Sequence, residues 1–327
     1  MKVKQISVLT LLVALFMSYY FSYLSVHGQA SNNDDFTIPD TEVKFLINPD
    51  LVLDGAGNLL AEIADLFGGF ERDRGRTVTM QFMDTPDQVF NSDGWFNRIR
   101  YRDWNQPSEG YQITYRRRIP IEPVNEQTIR LAVEQAYTDG FVGWDMNLDW
   151  SYDAAALTLS YSAQTGEPAS SVLPDDEMAR ELLQEHMPEQ MAQHFNRELL
   201  DAFDHVVAHG PVTFRRYEFD FPGTDERILR IEVLPITSTT GVVDHIVEVS
   251  FEFENEGNFE VISQRRAEMQ MLLDGAGILL PESGLRTTLV LDQYRHHEMD
   301  RTLLVVGSVL LVSTLLVLTT VIRKGKK

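Results

Sequence analysis

Apolar and polar residues alternate with a period of two in nine segments of the chain, a pattern typical of β-strands that bury one face. Most of these segments follow one another through short, turn-like links, which favours an antiparallel sheet over a βαβ repeat. The predicted strands cover residues 41–47, 77–83, 95–102, 111–121, 143–152, 157–162, 212–221, 228–236 and 245–254. Helix-like stretches cover residues 54–67, 126–136, 175–208 and 264–274. We therefore predict an α+β fold in which about eight or nine antiparallel strands form a barrel or a strongly curled sheet, with helices packed outside.

The first thirty residues predict export or anchoring at a membrane. Lys2 and Lys4 precede an apolar run over 6–24, and small residues follow up to Ala30. A basic start, an apolar centre and a small-residue end are the parts of a secretory signal. Residues 1–30 are thus a signal peptide or an uncleaved N-terminal anchor.

The other end of the chain predicts a transmembrane helix. Residues 303–322 are twenty residues without a charge, long enough to cross a bilayer. The basic tail over 323–327 is cytoplasmic by the positive-inside rule. We expect a single-pass protein of the cell membrane, with a polar spacer over 31–39 and a folded domain over 40–295 outside the cytoplasm.

The charge balance excludes the commonest kind of nucleic-acid binder. The chain has 28 basic and 49 acidic residues and a net charge of −21, whereas such proteins use clustered cations to neutralise phosphates. There is no cysteine, which excludes disulfides, thiolate metal sites and cysteine nucleophiles. Residues 31–300 hold all 49 acidic residues and 21 basic ones, of which only Lys44 is a lysine. Because arginine fills every other cationic position there, we expect Lys44 to occupy a place that requires an ammonium.

Charged residues recur two positions apart in several predicted strands, so they share one face of each strand. The rows are Asp40, Glu42 and Lys44; Arg98, Arg100 and Arg102; Arg116 and Arg118; Asp145, Asn147 and Asp149; Arg230 and Glu232; and Glu248, Ser250, Glu252 and Glu254. Two interpretations are open: the charged faces meet water around one apolar core, or they line a barrel lumen. Separation of cationic from acidic rows favours the lumen, where arginines fit phosphate oxygens and carboxylates can hold a hard divalent cation.

Other candidate groups are weaker. His205 and His209 are four residues apart on a predicted helix, but no further zinc ligands are evident, so we interpret them as a solvated pair. The aromatic residues Trp95, Trp144 and Trp150 lie in or beside strands, as does Trp104, and predict barrel packing.

The charged rows resemble motifs of the CYTH family, the triphosphate tunnel metalloenzymes. Residues 40–46, Asp-Thr-Glu-Val-Lys-Phe-Leu, are similar to the family's opening E-x-E-x-K strand. Four further segments, together with residues 113–116, resemble later motifs of the family and occur in the family's order. Residues 82–87 are similar to its Y-F-D-T-P motif, residues 94–100 to its G-x-x-L-R-I-R motif, and residues 113–116 to the strand that comes next. Residues 214–217 are similar to its K-x-R-Y motif and residues 247–254 to its late E-x-E strand. The resemblance covers about residues 40–285.

The resemblance implies an antiparallel barrel whose tunnel binds a triphosphate chain beside a divalent metal ion. The phosphate-binding residues it implies are Lys44, Arg98, Arg100, Arg116 and Arg216. Further candidates are Arg118 and Arg230 from the charged rows, and Arg215, which could replace the lysine that is absent at Phe214. The ligands it implies for Mg²⁺ or Mn²⁺ are Glu42, Glu252 and Glu254, with Asp40 and Glu248 as further candidates. Lys44 and Glu42 are the catalytic candidates.

The chain also departs from the family pattern. Asp40 replaces the first glutamate, Arg116 replaces a lysine, and Phe214 stands where a lysine is usual. The middle acidic strand has no clear counterpart, and Asp145 and Asp149 are the nearest candidates.

We therefore expect a membrane-anchored, outward-facing, metal-dependent triphosphatase that hydrolyses tripolyphosphate or nucleoside triphosphates. Adenylate cyclase and thiamine triphosphatase activities also occur in the family, but their substrates are chiefly intracellular, so the predicted topology counts against them. The alternative is a noncatalytic surface module that binds polyphosphate or another polyanion, which the weak middle acidic strand and Phe214 favour. An anchored structural barrel with a solvated charged face is the third interpretation.

Overall fold

The computed structural model describes residues 36–67, 71–103, 109–166, 172–220, 228–237, 243–253, 258–281 and 290–291. The strands in this part of the chain are β1 (Asp40–Ile47), β2 (Glu71–Asp84), β3 (Trp95–Arg102), β4 (Gln112–Ile121), β5 (Asp145–Trp150), β6 (Ala155–Gln164), β7 (Val207–Asp220), β8 (Ile228–Thr237) and β9 (Val243–Phe253). They close into one barrel in the order β1-β5-β6-β4-β3-β2-β7-β8-β9. The predicted barrel and each of its nine strands are confirmed.

The barrel is mixed rather than purely antiparallel. Strands β1 and β5 run parallel, with Glu42 opposite Asp149, and the other neighbouring strands are antiparallel. The expectation of an antiparallel sheet throughout is therefore wrong at this seam. Parallel neighbours need a long connection, and β1 and β5 are far apart in the chain, with a helix inserted between β4 and β5.

Of the four predicted helices, those over 126–136 and 264–274 are confirmed and are slightly longer in the structure, whereas the stretch over 54–67 is helical only at Ala61–Leu66. They are α1 (Pro49–Val52), α2 (Ala61–Leu66), α3 (Val89–Ser92), α4 (Glu126–Thr138), α5 (Asp176–Glu185), α6 (Glu189–His194), α7 (Arg197–Ala202) and α8 (Phe259–Gly275), with a 3-10 turn at Phe203–His205. The single helix predicted over 175–208 is wrong. Pro188 precedes α6, where it cannot continue the hydrogen bonds of α5, and the Asn196 side chain caps α7 by accepting from the Leu199 N–H at 2.9 Å.

The break in this helix also changes the two histidines. His205 lies in the 3-10 turn, whereas His209 lies on β7. His209 is buried, and its Nε2 lies 3.2 Å from the Thr85 carbonyl oxygen. The prediction of a solvated helical pair is therefore wrong.

The outer face of the barrel packs under the helices through aromatic side chains. Trp95 on β3 meets the Phe195 ring at the end of α6, with ring centroids 4.8 Å apart. Trp150 on β5 stacks on Phe259 of α8 at 5.6 Å. Trp144 also lies in the core, so barrel packing is confirmed for these three tryptophans; Trp104 lies outside the described residues.

One end of the barrel lumen is filled by apolar side chains, which we call the apolar floor. Its members come from β1, β2, β7, β8 and β9 and from a two-residue segment near the C-terminal end of the described chain. They are Leu46, Val78, Met80, Phe82, Val212, Phe214, Leu234, Ile246, Val290 and Leu291, with Phe96 and Leu280 packed against them. The barrel is thus closed on this side.

The predicted membrane segments cannot be compared with this structure. Residues 1–30, 303–322 and 323–327 lie outside the described residues. Within the described part of the chain, no helix is long and apolar enough to span a membrane.

Candidate functional site

The charged rows of the sequence line the lumen above the apolar floor. Residues paired across neighbouring strands point to the same face of a sheet. The pairs Glu42 with Glu252, Glu232 with Glu248, Arg216 with Glu232, and Arg116 with Ser160 are directly opposite one another and share that face with the floor residues. The interpretation that these charged faces meet bulk water is wrong for the deeper members, because Lys44, Asp149 and Glu248 are only 8%, 1% and 3% exposed.

The structure brings most of the predicted site residues together. On the lumen face lie Asp40, Glu42, Lys44, Arg98, Arg100, Arg116, Arg118, Arg216, Arg230, Glu248 and Glu252. Arg215 does not join them. It points to the outer face of β7, is exposed, and donates a hydrogen bond to Asn58 Oδ1. The reason is the strand's period of two, which turns neighbours such as Arg215 and Arg216 to opposite faces. Glu254 lies outside the described residues.

A buried ion-pair network lies directly above the apolar floor. Lys44 Nζ lies 2.7 Å from Glu42 Oε2 and donates a hydrogen bond to Asp149 Oδ1 at 3.0 Å. The other Asp149 oxygen accepts from Thr158 Oγ1 at 2.8 Å and lies 3.9 Å from Arg118 Nε. The Lys44 ammonium, which the sequence predicts to be required at its position, therefore lies in a narrow space between the carboxylates of Glu42 and Asp149.

The charged groups of this network stabilise one another's ionised forms. Burial opposes the ammonium of Lys44, but the carboxylates of Asp149, Glu42 and Glu248 outweigh it and raise the pKa of Lys44. Burial also opposes the carboxylate of Asp149, yet Lys44, Arg116 and Arg118 hold its pKa well below the ordinary value. Both groups are therefore charged at neutral pH.

Glu248 titrates differently from Asp149 although it is equally buried. Burial raises the pKa of Glu248 to about 7; Lys44 opposes this rise, and the carboxylates of Glu42 and Asp149 add to it. A carboxyl group with a raised pKa stabilises the fold below its unfolded pKa of 4.5, and this contribution is lost as the pH rises through about 7.

We expect Glu248→Gln to raise the melting temperature by a few °C at pH 8.5, because a neutral amide avoids a buried negative charge. The difference from wild type should shrink as the pH falls through about 7 and be absent near pH 4.5, measured by calorimetry with EDTA present. Glu260→Gln, at an exposed position of α8, is the matched control. A Glu248→Gln protein that is less stable at pH 8.5 would contradict the assignment.

A second network lies towards the open side of the lumen. Arg216 Nε donates to Glu232 Oε1 at 2.8 Å, and Arg230 Nη1 lies 2.6 Å from Glu252 Oε1. Arg230 Nε also lies 3.8 Å from Glu218 Oε1. These ion pairs join the lumen-facing side chains of β7, β8 and β9.

Cations face one another across the remaining lumen. Burial lowers the pKa of Arg102 on β3, and the charges of Arg216 and Arg230 on β7 and β8 lower it further. Arg116 on β4 donates from Nε to Ser160 Oγ at 3.1 Å, a neutral partner. Because like charges close together favour a bound anion, this arrangement suits a polyanionic ligand.

Oxygen donors surround a cavity of about 180 Å³ at the mouth of the lumen, opposite the floor. Its lining includes the carboxylates of Asp40, Glu42 and Glu252 and the amide of Asn147. Within the described residues, no three histidine, cysteine or acidic side chains converge on one point as a ready metal cage. This donor set fits Mg²⁺, which is usually held by one or two carboxylates together with water and substrate phosphates.

Sequence reasoning missed Glu218, and it placed Glu232 and Asp149 in the charged rows without predicting their ion-pair partners. Glu218 and Glu232 are buried ion-pair partners of arginines, and Asp149 is the centre of the deepest network. The period of two could have found Glu218, since it follows Arg216 by two residues on β7. The parallel pairing that places Asp149 beside Glu42 has no local signal in the sequence.

Comparisons with known proteins give structural likenesses only. No protein-family model matches the chain, and no curated protein matches it. A solved structure from Hippeastrum, of a candidate adenylyl cyclase described as having a dominant triphosphatase activity, covers 77% of this chain and 94% of its own at 11% identity and a TM-score of 0.46. A candidate adenylate cyclase from Bacillus halodurans is similar at 13% identity and a TM-score of 0.40, with 76% of this chain and 94% of its own covered. Another from Vibrio parahaemolyticus is similar at 11% identity and a TM-score of 0.36, with 79% of this chain and 99% of its own covered.

Proposed function

We propose that the lumen is the active site of a metal-dependent triphosphatase that hydrolyses tripolyphosphate or nucleoside triphosphates. The observation that carries the proposal is the arrangement of arginines from β3, β4, β7 and β8 on the lumen face of the barrel, with carboxylates grouped at the mouth of the lumen. A triphosphate chain is a compact polyanion whose hydrolysis needs charge neutralisation more than covalent chemistry from the protein.

The arginines bind the phosphate oxygens in this account. Arg98, Arg100 and Arg116 hold the chain along one side of the lumen through charge-assisted hydrogen bonds. Arg216 and Arg230 approach it from the other side, where their carboxylate partners also fix their positions. A water molecule then attacks a phosphoryl group in line with the leaving oxygen.

Asp40, Glu42, Asn147 and Glu252 would hold Mg²⁺ or Mn²⁺ at the mouth. When bound, the ion supplies neutralisation of phosphate charge and polarisation of a phosphoryl oxygen. Glu42 and Glu252 are paired with Lys44 and Arg230 in this structure, so these cations also fix the positions of the two carboxylates.

We expect Lys44→Arg, which keeps the charge, to lower tripolyphosphate turnover by about tenfold or more, about 1.4 kcal/mol of transition-state stabilisation. The ammonium fits between Asp149 and Glu42, whereas a planar guanidinium displaces one of them. Steady-state kinetics measure kcat, and circular dichroism checks that the variant is folded. A folded Lys44→Arg protein with the turnover of wild type would contradict a catalytic role for the Lys44 ammonium.

The proposal is tested by phosphate release from tripolyphosphate and from ATP. We expect release by the purified chain with Mg²⁺ or Mn²⁺, and none with EDTA. Binding of tripolyphosphate with no release under any of these metals would instead support a noncatalytic polyphosphate-binding module. That second candidate is favoured by one observation, the pairing of the mouth carboxylates with cations of the protein itself.

We also propose that the domain acts outside the cytoplasm, held by a helix over 303–322 and facing away from the basic tail. Protease added to intact cells or spheroplasts should then digest residues 31–300 and spare the tail. Antibodies to each end identify the fragments. Protection of the whole domain until the membrane is permeabilised would reverse the topology and open the lumen to cytoplasmic ATP.

A further inference from the structure

The apolar floor is a built part of the barrel. Leu291, one of its members, is fixed by a hydrogen bond of 2.7 Å from Gln88 Nε2 to its carbonyl oxygen. Gln88 is itself buried and has a φ of 57°, a left-handed conformation that is uncommon outside glycine and that needs support from its surroundings. The N–H of Leu280 donates to the carbonyl oxygen of Leu46 at 2.9 Å. The chain segments that close the lumen are thus attached to the barrel wall.

Exposure falls stepwise from the mouth towards this floor. Along β1, Asp40 is exposed, Glu42 is half-buried and Lys44 is buried, and Leu46 follows as part of the floor. The parallel strand β5 repeats the order, from exposed Asp145 to Asp149 at 1% exposure. The polar lumen is therefore reached from the Asp40 side among the described residues and ends at apolar side chains.

We propose that the lumen is a blind pocket that takes a linear phosphate chain by its free end and rejects chains whose ends are blocked. This inference rests on the proposed function. An internal stretch of a long chain could lie along the lumen only if the chain left through a second opening, and the apolar floor occupies that place. From Asp40 to Lys44 the wall is about 13 Å long, at about 3.3 Å per residue, which limits the ligand to a short run of phosphates.

The charges in the pocket match a chain that enters end first. The terminal phosphate of a linear chain carries one more ionisable oxygen than an internal phosphate, so it is the most strongly anionic unit. The deepest cations, Lys44 and Arg118, lie beside the floor, where Arg118 sits over the Phe96 ring at 4.2 Å. A terminal phosphate at the bottom of the pocket would meet both of them.

The test compares three probes by calorimetry on the full chain, with EDTA present to prevent turnover. They are tripolyphosphate, long-chain polyphosphate with free ends, and the same polyphosphate with both terminal phosphates converted to bulky phosphoramidates. We expect the first two to bind and the capped chain to bind about 100-fold more weakly or worse. Arg116→Ala is the lumen control, because it should weaken binding that occurs inside the barrel by about 30- to 100-fold.

Capped polyphosphate that binds within about threefold of the uncapped chain, and that loses this binding in Arg116→Ala, overturns the blind pocket and leaves the proposed function standing. Failure of tripolyphosphate and of both long chains to bind, both with EDTA and with Mg²⁺ added in its place, overturns the proposed function and the blind pocket together. The two failures are thus distinguishable.

Discussion

Asp149→Ala is expected to destabilise the protein by about 3–5 kcal/mol, because it removes one partner of a buried ion pair and leaves the others uncompensated. Asp149 is 1% exposed and accepts hydrogen bonds from Lys44 and Thr158. Without it, Lys44 and Arg118 remain buried beside the apolar floor with one carboxylate fewer. Urea unfolding at pH 7, followed by fluorescence, measures the difference.

The same variant should show a defined pH dependence. The pKa of Asp149 is held below its ordinary value of 3.8, so its stabilisation is present above that pH and lost as the pH falls below it. Lys44 has a raised pKa, so its contribution is present below 10.5 and lost as the pH rises beyond that value. The gap between wild type and Asp149→Ala should therefore be present at about pH 5 and close in acid. It should narrow as the pH rises through about 7, because Asp149 helps to raise the pKa of Glu248 and repels that carboxylate once it ionises.

Asp145→Ala is the matched control for Asp149→Ala. It lies on the same strand and the same face, four residues towards the mouth, and is exposed. We expect a change within about 0.5 kcal/mol. An equal loss of unfolding free energy in Asp145→Ala and Asp149→Ala would show that the buried network is not what stabilises this side of the barrel.

Arg116→Ala is expected to weaken tripolyphosphate binding by about 30- to 100-fold, about 2–3 kcal/mol, the size of a lost hydrogen bond to a charged group. Its hydrogen-bond partner in the lumen is the neutral hydroxyl of Ser160, so removal of the guanidinium breaks no ion pair among the described residues, while Asp149 keeps Lys44 and Arg118 as neighbouring cations. The unfolding free energy should therefore fall by less than in Asp149→Ala. Calorimetry of binding and urea unfolding of the same sample separate the two effects.

Arg117→Ala supplies the control from the next position of the same strand. Arg117 points to the outer face, where it pairs with Asp93 at 2.8 Å and lies over the Trp95 ring. Binding should stay within about threefold of wild type, because this cation cannot reach the lumen. A loss of affinity in Arg117→Ala as large as that in Arg116→Ala would place the anion site on the outside of the barrel.

The strands and their charged face could be predicted from the sequence because both depend on a local period of two. Thus Arg98, Arg100 and Arg116 share a face by spacing alone, and the barrel then brings them together. The same rule, applied strictly, would have removed Arg215 from the site, since it alternates with Arg216 on β7. Arg215 was included because of its similarity to a family motif, without regard to the alternation of side chains between the two faces of a strand.

The rest of the site depends on contacts between distant segments, which leave no local pattern. The parallel seam between β1 and β5 places Asp149 within 3.0 Å of Lys44, from 105 residues away in the chain. The apolar floor combines Phe214 with Val290 and Leu291. Phe214 looked like a lost phosphate ligand in the sequence, and in the structure it is part of the surface that closes the lumen.

A crystal structure of the protein with tripolyphosphate, with the metal withheld to prevent turnover, tests the central claim most directly. The account predicts phosphate density inside the barrel, between Arg100 and Arg116 on one side and Lys44 on the other, with the chain end towards the apolar floor. Well-ordered tripolyphosphate bound only to the outer face, beside Arg117 or Arg215, with the ion pairs of the lumen unchanged, would contradict it.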